Sequence, residues 1–230
     1  MPPKKKPARS SGAKSPQSSP KPARSRLAPE VRREALLEVS NKLFGEVPFD
    51  QLSMDDVARE ANISKGLLYH YFPTKRDLYV ETVRTAAMEL AMHTLPDTSL
   101  PQAERLLASL VAHLRYIRSH AATYKRVVES GVGADSEVRS VVEAVRDNVL
   151  QSVLQGLQIE DPDELLLVSV RGWTAFIEVS GLAWLGTQIP EERMARLWMG
   201  LLVATIRATG AVPKNHSKLR EVEKLAVSSK

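Results

Sequence analysis

Between Ser53 and Phe72 the chain reads SMDDVAREANISKGLLYHYF, and the spacing of these residues leaves little choice of local fold. Ser53 precedes Asp56 by three positions, the spacing of a capping box in which the hydroxyl receives the Asp56 amide and the carboxylate reaches back. Val57 and Ala58 give the helix that follows an inward face, and it should end near Ala61-Asn62. Asn62 falls where the chain must turn tightly, and asparagine tolerates a positive φ better than most residues. Ile63 plugs the angle. Ser64 then caps another short helix, with Leu68 and Phe72 turned to the core and Ser64, Lys65, Leu67, Tyr69 and His70 turned out. Pro73 closes it, and Thr74-Lys75-Arg76-Asp77 repeats the earlier cap spacing at the start of the next helix. Two short capped helices around a tight turn are the plan of a helix-turn-helix, whose second helix enters the major groove of DNA.

Ahead of this stretch, a supporting helix is expected from Pro29, since proline suits the first helical position. Leu36, Val39 and Leu43 line its buried face at spacings of three and four. Gly45 is expected to stop it in a left-handed conformation, with Phe49 and Leu52 bridging to the next element. Residues 1–27 hold almost nothing to bury and read as a disordered arm. Its first 26 residues carry eight lysines and arginines and no acid, including Lys6-Pro7-Ala8-Arg9-Ser10 repeated as Lys21-Pro22-Ala23-Arg24-Ser25. The whole chain is +5, so the remainder is −3 and the basic balance belongs to the arm alone. Such an arm can follow phosphates or enter a minor groove; a solubilising tail or a stray translation start is the alternative.

The chain has no cysteine, which excludes a disulfide scaffold or thiolate metal site and fits a reducing interior. No apolar run approaches the roughly 20 residues of a membrane span, and the N-terminus lacks the apolar stretch of a secretory signal. A cytoplasmic protein is expected. There is no phosphate-binding glycine loop, nucleophile elbow or paired histidine with metal spacing, so neither an enzyme nor a cofactor or metal is expected; His93, His113 and His120 read as packing or surface residues.

From Thr74 onward the pattern is helical throughout. A connecting helix carries Leu78, Val83, Ala86, Ala87 and Leu90 and ends before Pro96. Helices follow over about 101–119, about 121–130 up to Gly131-Val132-Gly133, and about 135–157 with a valine-rich inner face. Two long apolar helices, from Asp163 to about Gly186 and from Pro190 to about Thr209, contain Gly172, Gly181 and Gly200, which permit close approach. Helices apolar on more than one face must be covered on more than one side. Residues 211–230 return to a polar, Lys-rich composition and read as a frayed tail. The expected organisation is all-α: a basic arm (1–27), a three-helix DNA-binding domain (28–74), a helical effector-binding and dimerisation domain (75–210) and a polar tail (211–230). For an effector pocket the candidates are Leu110, His113, Tyr116, Ile117, Tyr124, Val127, Val149, Val153, Trp173, Phe176 and Ile177, apolar walls with a few polar tips.

The run Ser64-Lys65-Gly66-Leu67-Leu68-Tyr69-His70-Tyr71-Phe72-Pro73-Thr74-Lys75-Arg76-Asp77-Leu78, with Val57-Ala58 upstream, closely resembles the DNA-binding domain of the TetR-type transcriptional repressor family. The match covers about residues 30–80. The resemblance implies an all-helical homodimer, with a divergent C-terminal domain holding a ligand pocket and a four-helix interface built from the last two long helices of each subunit. It also implies that Ser64, Lys65, Gly66, Leu67 and Tyr69 approach base edges, and that Ser53, Tyr69, Tyr71 and Lys75 match phosphate-holding positions; His70 is expected beside them as a further phosphate contact. The chemistry agrees: Lys65 can donate to guanine O6 and N7, Leu67 can pack on a thymine methyl, and Gly66 lets the backbone come close. Two positions depart from the family. Tyr71 stands where histidine is common, with His70 one place earlier. Asp55 stands where some members carry a basic base-reading residue, and a carboxylate there meets phosphate repulsion unless it accepts from a cytosine amine. The function implied is a repressor of a palindromic operator, released by an apolar or amphipathic effector such as a fatty-acyl species or lipophilic drug. The alternative is an architectural DNA binder that relies on the arm.

Overall fold

A computed structural model describes residues 28–129, 135–210 and 216–228. The arm, the Gly131-Val132-Gly133 stop and the extreme C-terminus lie outside the described residues. Among the described residues the structure is all-α: α1 (Pro29–Glu46), α2 (Met54–Glu60), α3 (Lys65–Tyr71), α4 (Lys75–His93), α5 (Gln102–Ser119), α6 (Ala121–Glu129), α7 (Ser136–Leu157), α8 (Glu164–Trp184), α9 (Glu191–Ala208) and α10 (His216–Val227).

The caps form as their spacing dictates. Ser53 and Asp56 make a reciprocal capping box at α2, and Thr74 and Asp77 make another at α4. Ser64 caps α3 by accepting from the Leu67 amide, and Asn62 takes φ 52°. α1 differs from expectation in two respects. Its buried face is Leu36, Leu37, Ser40 and Phe44, while Val39 and Leu43 are only half-buried. Gly45 does not stop the helix; it lies inside α1, where a Cβ would come within 3.0 Å of Ala122 Cβ and Thr123 Oγ1 on α6. This glycine is needed for close helix approach, and α1 ends instead as Val47 turns extended.

Two main cores result. Leu36, Leu37, Phe44, Leu52, Met54, Val57, Leu68, Phe72 and Leu78 unite α1–α3 with the start of α4, and the Phe44, Phe49 and Tyr79 rings pack beside them. The larger core draws on α5 and α7–α10 around Leu114, Ile117, Trp173, Trp198 and Met199. A small cluster of Val80, Val83 and Val138 joins α4 to α7 between them. An ionic clamp accompanies it: Arg76 donates to both Asp135 oxygens at 2.6 and 2.9 Å, while Asp135 also caps α7.

Three further expectations need correction. The tail is not frayed over residues 216–227: α10 packs on α9 and α5 and buries Leu219 and Val222. Among the three long-helix glycines, Gly181 sits at the closest approach: a Cβ there would lie 2.6 Å from Ile117 Cδ1, the tip of a side chain that would have to shift. Gly172 has open space and Gly200 ordinary contact. Finally, α8 is long and apolar enough, by length and composition, to cross a membrane. Yet it carries Arg171 and Glu178, paired with Asp147 and Arg146, and one face buries Leu166, Val170, Trp173, Ile177 and Trp184 in the core.

Candidate functional site

The helix-turn-helix presents its second helix, α3, on the outside of the first core. Leu68 is fully buried and fixes the helix, leaving Ser64, Lys65, Gly66, Tyr69 and His70 exposed and Leu67 half-exposed. Tyr69 is 40% exposed, a large aromatic surface for a monomer to leave in water. A Cβ at Gly66 would meet nothing within 4 Å, so close packing inside the protein does not require this glycine.

Lys65 is not a free charge. Its Nζ lies 2.8 Å from Asp55 Oδ1 and 3.1 Å from Oδ2, and 5.9 Å from the centre of the Tyr69 ring. The carboxylate raises the lysine pKa through this hydrogen bond and its charge. The expected phosphate-holding residues are differently placed. The Ser53 hydroxyl donates to Asp56 Oδ2 at 2.5 Å while accepting the Asp56 amide, so its proton is committed within the cap. Lys75 Nζ donates to the Phe49 and Leu52 carbonyls at 2.8 and 3.1 Å and sits 4.3 Å from the Phe49 ring centre. It straps the α1–α2 loop to α4. Tyr71 is half-buried against the first core, and its ring meets the exposed His70 ring edge-on at 5.5 Å.

Behind this head lies a cavity of about 100 Å³ between α4, α5, α6, α7 and α8. Of the residues named as pocket candidates, His113, Tyr116, Tyr124, Val127, Val149 and Ile177 line it. Leu110, Ile117, Val153 and Trp173 do not; they are packed into the larger core, and the Trp173 indole donates to the Trp198 carbonyl at 2.9 Å. Phe176 is 42% exposed and, with Trp173, borders an open depression between α8 and α9. These five share helices with true wall residues but point elsewhere.

Sequence reasoning missed the α4 wall, formed by Val83, Ala86, Ala87 and Leu90, and the charged pair Arg146–Glu178. The pair interrupts otherwise apolar faces of α7 and α8, a signal available in the sequence. Arg146 binds Glu178 through two nitrogens at 3.0 and 2.7 Å and Glu143 through a third at 2.7 Å. The hydrogen bonds to Glu178 hold the guanidinium firmly in its charged form. His113 Nε2 lies 3.3 Å from the Tyr124 hydroxyl, and burial lowers the His113 pKa to about 4. The Tyr116 hydroxyl donates to the Ala86 carbonyl at 2.9 Å. Burial pushes both phenols above the usual tyrosine range. Among the described residues no group of metal-ligating side chains occurs.

A family model described as "Bacterial regulatory proteins, tetR family" matches residues 36–82, and "Tetracyclin repressor-like, C-terminal domain" matches residues 101–205. The chain is 28% identical over 132 residues to the uncharacterized HTH-type transcriptional regulator YhgD of Bacillus subtilis, covering 56% of this chain and 68% of that one. It is 24% identical over 178 residues to the HTH-type transcriptional activator FasR of Mycolicibacterium smegmatis, covering 73% and 78%. Its fold is similar to a tetR-family transcriptional regulator from Streptomyces coelicolor, with TM-score 0.70, 25% identity and coverage of 86% and 90%.

Proposed function

The chain belongs to the tetR family of bacterial regulatory proteins, and from that premise we propose that it is a homodimeric, ligand-responsive repressor of a palindromic operator. In this reading, a small apolar or amphipathic effector, fatty-acyl or lipophilic and drug-like, releases it from DNA. Ser64, Lys65, Gly66, Leu67 and Tyr69 are the proposed base-contacting set. The phosphate set is His70 and Tyr71, with Ser53 and Lys75 able to join only by giving up internal partners.

One observation carries the reading: the cavity walls are the helices that hold the reading head. α4 follows directly from α3 and gives the cavity Val83, Ala86, Ala87 and Leu90. α6 gives it Thr123, Tyr124, Val127 and Val128, and meets α1 at Gly45 and through the Thr123 hydroxyl, which donates to the Asn41 carbonyl at 3.0 Å. The cavity volume, about 100 Å³, is well below the roughly 300–1,000 Å³ of drug-sized sites. An effector of that size must push the walls apart, and moving α4 or α6 re-aims α3. The effector weakens DNA binding only by its preference for the displaced state. Arg146 is already neutralised by its carboxylates, which favours an apolar ligand body.

Dimerisation is supported by a stripe of exposed apolar residues on α8 (Leu165, Val168, Phe176 and Val179), together with exposed Leu197 on α9. A homodimer that reads a palindrome must hold its two reading helices near ~34 Å apart, the spacing of successive major grooves. Sedimentation velocity that finds only monomer at DNA-binding concentrations would remove the palindrome from the account.

The functional test begins with a duplex recovered by the protein from a random DNA pool, followed by fluorescence anisotropy. Within a panel of saturated fatty acids, their coenzyme A thioesters and lipophilic cations, at least one class should weaken binding tenfold or more. If none does so and none raises the melting temperature, the effector half of the proposal fails. Deleting residues 1–26 should lower affinity and salt dependence but spare sequence preference; loss of preference would favour the architectural alternative. A promoter–reporter assay in which the protein raises transcription would replace repression by activation.

A further inference from the structure

Resting on the reading-head assignment above, we propose that Asp55 is a positioning residue for sequence discrimination, holding Lys65 in a base-directed pose and withholding it from indiscriminate phosphate contact. The pair bridges the start of α2 to the start of α3, with both carboxylate oxygens within 3.1 Å of the ammonium. Lys65 is the only lysine or arginine in α3. Its ammonium is held by the Asp55 carboxylate, with the Tyr69 ring centre 5.9 Å away. The neighbouring Asp56 is occupied by the Ser53 cap and an ion pair with Arg59, so Asp55 is the α2 carboxylate turned to the reading helix.

Stability does not account for the pair. Its side chains are 57% and 60% exposed, and an ion pair so open to water adds little to folding. A lone carboxylate beside the groove would weaken DNA binding by repelling phosphates. Its effect therefore lies in what it does to Lys65. A lysine is a point charge on a flexible stem. Unrestrained beside DNA it gains most from phosphates, which carry no sequence information. Tethered to Asp55, it has its charge offset and its stem ordered, yet the three-proton ammonium keeps donor capacity for guanine O6 or N7. The carboxylate thus lowers affinity for every sequence and lowers it least where a base acceptor meets Lys65.

The test compares the duplex selected by the wild-type protein with a scrambled duplex of equal composition, across a salt series, for wild type, Asp55→Asn, Asp55→Glu and Lys65→Met. Asp55→Asn is expected to bind the scrambled duplex several-fold more tightly. Its selected-to-scrambled ratio should fall roughly tenfold, the discrimination one base-directed contact supplies. Its salt slope on scrambled DNA should steepen by about 0.9, one added phosphate contact. Asp55→Glu still reaches Lys65 and should keep the wild-type ratio. Loss of discrimination in Lys65→Met with an unchanged ratio and slope in Asp55→Asn overturns this proposal alone. So does loss in Asp55→Asn of preference for a single cytosine with recognition otherwise intact, because Asp55 would then read a base itself. A Lys65→Met protein with the wild-type ratio overturns the reading-head assignment and this proposal with it.

Discussion

His113 sits on the cavity wall with its imidazole on the Tyr124 hydroxyl, and burial holds its pKa near 4 against an ordinary 6.5. It is therefore neutral in the folded protein at pH 7. The unfolded chain takes up a proton below about pH 6.5 that the folded protein refuses until about pH 4. The stability this group confers is complete above the unfolded pKa and is lost as pH falls through that window. A shift of this size corresponds to about 3 kcal/mol. Urea unfolding at pH 7 and pH 4 should show wild type losing more stability than His113→Gln by an amount of that order; equal losses would mean the ring is solvated. Residue chemistry was legible in the sequence where partners are close along the chain. Ser53–Asp56, Thr74–Asp77 and Asn62 needed only a three-residue spacing or a turn. Lys75, whose carbonyl partners lie 23 and 26 residues away, and Asp55, ten residues from Lys65, acquire their roles only in the folded protein.

At the scale of elements, two glycines in the DNA-binding region separate folding from binding. A side chain at Gly45 collides with α6, where Ala122 and Thr123 stand 3.0 Å from an added Cβ. Gly45→Val should therefore destabilise the protein by about 2 kcal/mol through overpacking, seen as a lowered melting temperature. Gly66 has open space around it, so Gly66→Ala should be neutral or stabilise by up to about 1 kcal/mol. It should nonetheless weaken operator binding in anisotropy, because the added methyl occupies the gap between backbone and groove. A Gly66→Ala protein with wild-type DNA affinity would remove the close-approach role. Helix existence was readable from apolar spacing, but helix facing was less so. In α1 the buried set keeps Leu36 but takes Leu37, Ser40 and Phe44 in place of Val39 and Leu43, because α2, α4 and α6 all press on it. α10 reads as a polar tail because its few apolar residues lie among lysines and glutamates, and burial of Leu219 and Val222 needs α9 as a surface.

At the scale of the molecule, the head and the cavity are connected through α4 and α6, while α8 and α9 leave Leu165, Val168, Phe176, Val179 and Leu197 exposed. The five pocket candidates that lie off the cavity show why sequence alone could not draw its outline. Facing on a long helix is decided by which neighbours surround it, and Trp173 and Phe176 are taken by the α8–α9 side. In the proposed reading this molecule recognises DNA through the exposed face of α3. The most direct measurement is an anisotropy titration of the duplex it selects, comparing wild type with Lys65→Ala and Tyr69→Ala proteins of unchanged melting temperature. Each variant should lose about tenfold or more in affinity, consistent with about 1–3 kcal/mol per base-directed contact; full wild-type affinity in both would contradict the account.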